Sequence, residues 1–108
     1  MIARSTLWGT VQLGDAFYRL TELEQRAIVA HEWGHIHHRH AWKRLARLVT
    51  FRWKGFFEMC EAQELEADRY AVALGHAAGL ISFLFRGNLH VKSAGYPTHK
   101  QRIEAIHV

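Results

Sequence analysis

The sequence predicts an α+β fold, mainly α, with a core of about four helices and a small N-terminal β-strand or sheet. Three observations carry this. Apolar residues recur at helical spacing over several long segments, one short stretch near the N-terminus alternates with a period of two, and helix-starting pairs (Thr21 with Glu24, Thr98 with Gln101) precede two of the helical segments. At 108 residues the chain reads as one domain, 1–108, able to bury a core without disulfides.

The elements follow in order. "STLWGTVQLG" alternates, with Leu7, Val11 and Leu13 on one side and Thr6, Trp8, Thr10 and Gln12 on the other, which predicts a strand over 6–12. Gly14–Asp15 breaks it. Thr21 and Glu24 form a capping-box pattern, so a helix starts near Glu22 and runs to about His40. "AWKRLARLVTFRW" is a second helical stretch, interrupted at Gly55. A third helix covers roughly Glu58 to Leu74 and ends at Gly75. "GLISFLFRGN" fits a fourth short helix or a buried strand, because periodicity does not decide over so few residues. "NLHVKS" reads as a strand, and Pro97–Thr98 with Gln101 starts a last helix, "HKQRIEAI".

Composition excludes several classes. With 49% hydrophobic and 22% charged residues the chain is neither disordered nor repetitive. It holds no uncharged apolar run long enough to cross a membrane, and its first residues lack the apolar run of a secretory signal. Opening on Met, it is expected in the cytoplasm. Cys60 is the single cysteine, which rules out a disulfide framework and a cysteine-based zinc finger, and it reads as a small buried apolar residue. The formal charge of +4 is mildly basic, and no nucleic-acid partner is expected. "WKRLARLVTFRWKGFF" interleaves five basic residues with aromatics and aliphatics; it reads as an amphipathic surface helix whose Trp and Phe pack down, with weak membrane-surface contact through 42–57 as the alternative.

The chemistry centres on "HEWGHIHHRH". His31-Glu32-Trp33-Gly34-His35 fits H-E-x-x-H. Residues four apart stack on one helix face, so both imidazoles can point at one ion. Glu32 is turned about 100° from His31 and can reach a metal-bound water as general base. Leu23, Ala27, Ala30 and Gly34 flank the histidine line on one side and Val29, Trp33 and Ile36 on the other, so the helix is expected to be buried over most of its girth.

A catalytic zinc takes three protein ligands. The extended H-E-x-x-H-x-x-G-x-x-H pattern fails, because His38 and Ala41 stand where it needs Gly and His. "EAQELEADRYAVAL" offers Glu64 and Asp68, four apart on an apolar stripe where two carboxylates need a cation. Glu61 and His38 remain open as other third ligands, while Glu66 points to the polar side and reads as a solvated charge. His37, His38 and His40 read as lying outside the metal shell.

H-E-x-x-H followed by E-x-x-x-D resembles the gluzincin metallopeptidases, most nearly their HtpX-like and prenyl-protein (CAAX) protease branch. "LTELEQRAIVAHEWGHIHHRH", with its far histidine His40, "ELEADRYAVALG" and "YPTHKQRI" all resemble segments of that branch, and the size resembles its minimal single-domain "minigluzincins". The resemblance implies a zincin-like core, Zn2+ held by His31, His35 and Glu64, Glu32 as general base, and Asp68 accepting the N–H of a ligand histidine, most naturally His31. It implies an N-terminal strand at the cleft edge that pairs with an extended peptide. Tyr96 stands where the branch usually has His, and Arg102 matches the tail's Arg; both are candidates for the catalytic machinery, as oxyanion donor or carboxylate binder, with His99 as an unaligned extra.

The expected function is therefore a zinc-dependent endopeptidase acting on a peptide or protein. The alternatives are a regulatory metallopeptidase of the phage or mobile-element type that cuts a repressor, and a latent or non-catalytic zinc-stabilised module that binds a peptide.

Overall fold

The structure is a computed structural model, and it describes residues 2–106. Strand β1 (Ala3–Ser5) pairs antiparallel with β2 (Val11–Leu13), Ala3 opposite Leu13 and Ser5 opposite Val11. This corrects the single strand expected over 6–12. Residues 6–10 are the turn of a hairpin: the Thr6 N–H donates to the Thr10 carbonyl at 2.9 Å, their hydroxyls bond at 2.7 Å, and Gly9 takes φ +79°. Alternation continues formally through such a turn, but Trp8 at its tip stands in solvent, 83% exposed. A short 3-10 turn, Asp15–Arg19, follows the break at Gly14.

Helix α1 (Glu22–His37) starts where the capping box places it. The Glu24 N–H donates to Thr21 Oγ1 at 3.2 Å, and the Thr21 N–H donates to Glu24 Oε1 at 3.0 Å. The helix ends three residues earlier than expected, because Arg39 adopts a left-handed conformation (φ +56°) and the chain restarts at His40 as α2 (His40–Val49). The turn swings His40 inward, where it is 1% exposed. Phe51 (φ +55°) ends the α2 region short of Trp53, and Gly55 (φ +73°) leads into α3 (Phe56–Ala73), which stops ahead of Gly75 as expected. The ambiguous apolar stretch is a helix, α4 (Ala77–Leu84). The strand expected in "NLHVKS" is absent among the described residues; Asn88 Oδ1 accepts the His90 N–H and folds the segment into a turn, leaving only a bridge between Ser93 and Tyr96. The last helix, α5 (His99–Ile106), is capped as predicted, with Thr98 Oγ1 accepting the Gln101 N–H at 3.0 Å.

Small residues decide how the helices meet. A Cβ on Gly34 would lie 2.9 Å from the Ala67 Cα, so α1 and α3 approach backbone to backbone. Ala27, Ala30 and Ala71 continue this seam into a core with Leu80, Leu84 and Ile103. α4 lies against α1, and α5 closes the end of α3 and α4. Fully buried Glu24 anchors the α1 start, taking Arg86 Nε and Nη2 at 2.6 and 2.7 Å and Ser82 Oγ at 3.1 Å.

Two burial expectations are corrected. α1 is not covered on all sides, since Leu23 and Trp33 are exposed. Of the aromatic residues of 42–57, Phe51, Trp53 and Phe57 do not pack down either. Phe56 is half-buried, and Trp42 rests against the hairpin, its indole N–H donating to the Leu7 carbonyl at 2.9 Å. Leu45, Leu48 and Val49 of α2 face outward, while Arg44 and Arg47 turn toward α3 and its approach, where Gln63, Met59 and the carbonyls of Arg52 and Lys54 receive them. No helix of the described residues is long and apolar enough to cross a membrane.

Candidate metal centre and its cleft

The close crossing of α1 on α3 brings four side chains together. One helical turn separates His31 from His35, and Glu64 and Asp68 face them from α3. His31 Nε2 and His35 Nε2 are 3.2 Å apart, and Glu64 Oε2 lies 2.9 and 3.1 Å from them. All three residues are buried, and one ligand atom from each falls within 4.8 Å of the others. Among the described residues this is the one such cluster.

The outer ring nitrogens are each held. His31 Nδ1 lies 2.7 Å from Asp68 Oδ1, and Asp68 in turn accepts Arg102 Nε and Nη2 at 2.8 and 2.7 Å. His35 Nδ1 lies 2.7 Å from His40 Nδ1, whose Nε2 is 2.5 Å from Glu66 Oε1. A carboxylate only accepts, so with neutral rings His31 carries its proton on Nδ1 and His40 on Nε2. His40 Nδ1 then accepts the His35 Nδ1–H. Both inner Nε2 atoms are left as lone pairs, aimed at each other and at Glu64.

Such a set, two lone pairs and a carboxylate oxygen in a buried pocket, is repulsive unless positive charge lies among them. Two neutral imidazoles and a carboxylate are the ligand types that zinc takes, so the residues present fit a divalent metal. Protonation tells the same story. Burial works against a charged His31, but Asp68 and Glu64 outweigh it and raise its pKa to about 9. Burial likewise pushes the Glu64 carboxyl up, but hydrogen bonds from His31 and His35 hold it below the usual carboxylate range. Asp68 is also depressed, burial being outweighed by Arg102 and His31. His40 moves the other way: burial lowers it to about 4 against the pull of Glu66.

Glu32 is half-buried beside the cluster and supplies none of its three ligand atoms. Burial raises its pKa, with the charges of His31 and His35 opposing. A carboxyl raised by burial is a stronger base than an exposed one, which suits it to taking up a proton. Glu32, His31, His35 and Glu64 line a cavity of about 490 Å³. Ile2 to Ser5 line it too, together with Arg44, Leu45 and Leu48.

Tyr96 and Arg102 also line this cavity. Tyr96 is half-exposed, its main chain held by Ser93 and Lys92. Arg102 is nearly buried, with its guanidinium on Asp68. His99 lies elsewhere, its Nδ1 2.9 Å from the Leu84 carbonyl. Glu61 pairs with Lys92, and His38 Nδ1 is 3.3 Å from Glu66, so neither joins the cluster. Cys60 is buried, and burial pushes its thiol up.

Two residues, Glu66 and Arg44, escape the sequence reading, and His40 is read only in part. His40 supplies none of the three clustered ligand atoms and hydrogen-bonds within the fold, as expected, but its partners are His35 and Glu66, and Glu66 is not the free solvated charge expected. The far histidine of the resembling segment is the other hint. Arg44 had no signal beyond a basic helix face, but its Nη2 is buried 3.7 Å from Glu64 Oε1, with no hydrogen-bond partner among the described residues.

The model of peptidase family M48 matches residues 5–60, a span running from β1 to the start of α3 and including His31, Glu32 and His35. Glu64 and Asp68 follow just beyond it. No curated protein and no solved structure matches the chain.

Proposed function

The chain belongs to peptidase family M48, a gluzincin-type metallopeptidase family, and on that premise we propose that it is a zinc-dependent endopeptidase with its active site in the α1–α3 cleft. The observation that carries this reading is the convergence of His31 Nε2, His35 Nε2 and Glu64 Oε2 on one buried point beside Glu32. His31, His35 and Glu64 would hold the zinc. When bound, zinc supplies Lewis acidity, polarising a carbonyl and lowering the pKa of water towards about 7.

The chain's own groups do the rest. Glu32 removes a proton from the water that attacks the scissile carbonyl, then delivers it to the leaving amine nitrogen. Its raised pKa supports the first of these transfers. Asp68 and His40 keep the ligand histidines in the tautomer with Nε2 free, and Arg102 fixes Asp68. Arg102 thus acts through Asp68 as a positioning residue. Tyr96 and Arg44, both in the cavity wall, are the donors available to the tetrahedral oxyanion. Strand β1 on the rim offers an edge to an extended peptide.

The test compares wild type with Glu32→Gln for bound zinc and for cleavage of a peptide library. Both should hold zinc stoichiometrically, and the variant should lose at least about 100-fold in rate. Equal cleavage, or none in either protein, would overturn the enzyme reading and leave a zinc-stabilised module that binds peptides without cutting them.

A further inference from the structure

Helix α2 is packed inside out. In an ordinary surface helix the apolar stripe faces the core and the charges face water. Here Leu45, Leu48 and Val49 face solvent at 38%, 47% and 66% exposure, with Trp42 one turn earlier half-exposed at 48% while its indole N–H donates to the Leu7 carbonyl of the hairpin at 2.9 Å. Arg44 and Arg47 occupy the inner side. This exposed apolar face continues into the connection to α3, where Phe51 and Trp53 stand 77% and 60% exposed with rings 5.6 Å apart, and into Phe57 of α3.

This connection is held rather than loose. Arg47 Nε donates to the Arg52 carbonyl at 2.9 Å, and its Nη2 donates to the Lys54 carbonyl at 2.7 Å. Phe51 sits at φ +55°, a conformation that disfavours a bulky side chain. The backbone thus bears strain while presenting an aromatic ring to water, with the neighbouring Trp53 ring against it.

The charge around this patch is predominantly basic, with exposed Glu58 at its α3 edge. Residues 42–57 contain five basic side chains and no acidic one. Lys43, Arg52 and Lys54 are exposed, and none forms a salt bridge among the described residues. A second copy of the chain docking by the same face would oppose like charges, which is costly. An anionic bilayer surface matches both properties: Trp and Phe settle at the headgroup boundary, and Lys and Arg are drawn to acidic lipids.

We propose that the outward face of α2 and the α2–α3 connection form an interfacial membrane-binding surface for anionic lipid, which lays this domain against a bilayer. Leu45 and Leu48 belong both to this patch and to the cavity wall, so the cleft opens next to the bound membrane. The proposal stands independently of peptide hydrolysis, since it concerns where the molecule sits.

Vesicle flotation tests it, with equimolar phosphatidylglycerol and phosphatidylcholine against phosphatidylcholine alone. Wild type should bind the anionic vesicles at least about 10-fold more tightly, and high salt should weaken that binding. The double variant Phe51→Ser/Trp53→Ser and the charge reversal Arg52→Glu/Lys54→Glu should each lose about 10-fold or more while keeping the wild-type circular dichroism spectrum and Tm. All four positions are exposed, so the fold should survive. Brominated lipid should quench the tryptophan fluorescence of wild type more than that of the Trp53 variant. Absence of anionic-vesicle binding by folded wild type, or equal binding by the variants, would overturn the proposal. So would a stable dimer in solution that the Phe51/Trp53 variant dissolves, or binding to an acidic protein that persists when vesicle binding is absent.

Discussion

His31 and His35 are alike in type and spacing, yet each is oriented by a different kind of partner. His31 leans on Asp68, a carboxylate locked by Arg102; His35 leans on neutral His40, backed by Glu66. Both arrangements free Nε2, and losing either should cost metal affinity rather than folding. We expect His40→Phe to weaken zinc binding by about 10–100-fold, measured by competition with a chromogenic chelator. An unchanged affinity would mean that His35 is oriented without His40. Glu64→Ala should abolish stoichiometric zinc, read by metal analysis. Retention of zinc would transfer the third position to Glu61 or His38, although Lys92 and Glu66 respectively now occupy them.

At the scale of elements, two junctions govern the cleft. The first is the α1–α3 seam at Gly34. Adding one methyl there meets backbone atoms that cannot swing aside, so Gly34→Ala should destabilise by about 1–3 kcal/mol and loosen the metal cluster at the same time. Thermal unfolding and zinc affinity should fall together. The second is the α1 start, where Glu24 is both capping partner and ion pair. Arg86 holds its pKa down to about 2 from 4.5, burial opposing and Thr21 and Ser82 assisting. Because the folded pKa lies below the unfolded one, the stabilisation is full above about 4.5 and disappears as pH falls toward about 2. Wild type should therefore lose Tm more steeply than Glu24→Gln across that interval, and the two curves should converge at its acid end. Near neutral pH, Glu24→Ala should cost about 2 kcal/mol, combining the lost cap and the lost charged hydrogen bonds.

For the whole molecule, the buried hydrophobic residues are mostly small or aliphatic, with Ala27, Ala30, Ala67 and Ala71 beside two leucines, two isoleucines, Phe17 and Cys60, while His31, His35, Glu64, Asp68 and Glu24 are buried as well. A domain this small with so many buried polar groups has little stability to spare. Bound metal adds to the folded state by mass action, about 2.7 kcal/mol at a free concentration 100 times its Kd. Chelation should lower the Tm of wild type reversibly, and Glu64→Ala should be insensitive to chelator and zinc alike. A wild-type Tm that neither chelator nor zinc moves would count against a metal in this site.

Much of the fold and of the candidate site is legible in the sequence. Local signals named α1, α3 and α5, because a capping box, a C-terminal glycine and 3.6-residue periodicity act within a few residues of themselves. The His31/His35 pair and the Glu64/Asp68 pair could be found for the same reason: each is one turn of one helix. What the sequence could not determine depends on turns that reorient the chain. A glycine at φ +79° converts one apparent strand into a hairpin, and a left-handed Arg39 ends α1 and aims His40 at His35. Which side of α2 meets the protein was equally undecidable, since an amphipathic pattern defines two faces but not which one is covered. Tertiary structure made that choice: α3 offered Gln63, Glu64 and Met59 to the arginines, leaving Leu45, Leu48 and Val49 outside. Helix-local chemistry was therefore written in the sequence, while the pairing of helices, and with it the second support of the metal site, required the folded chain.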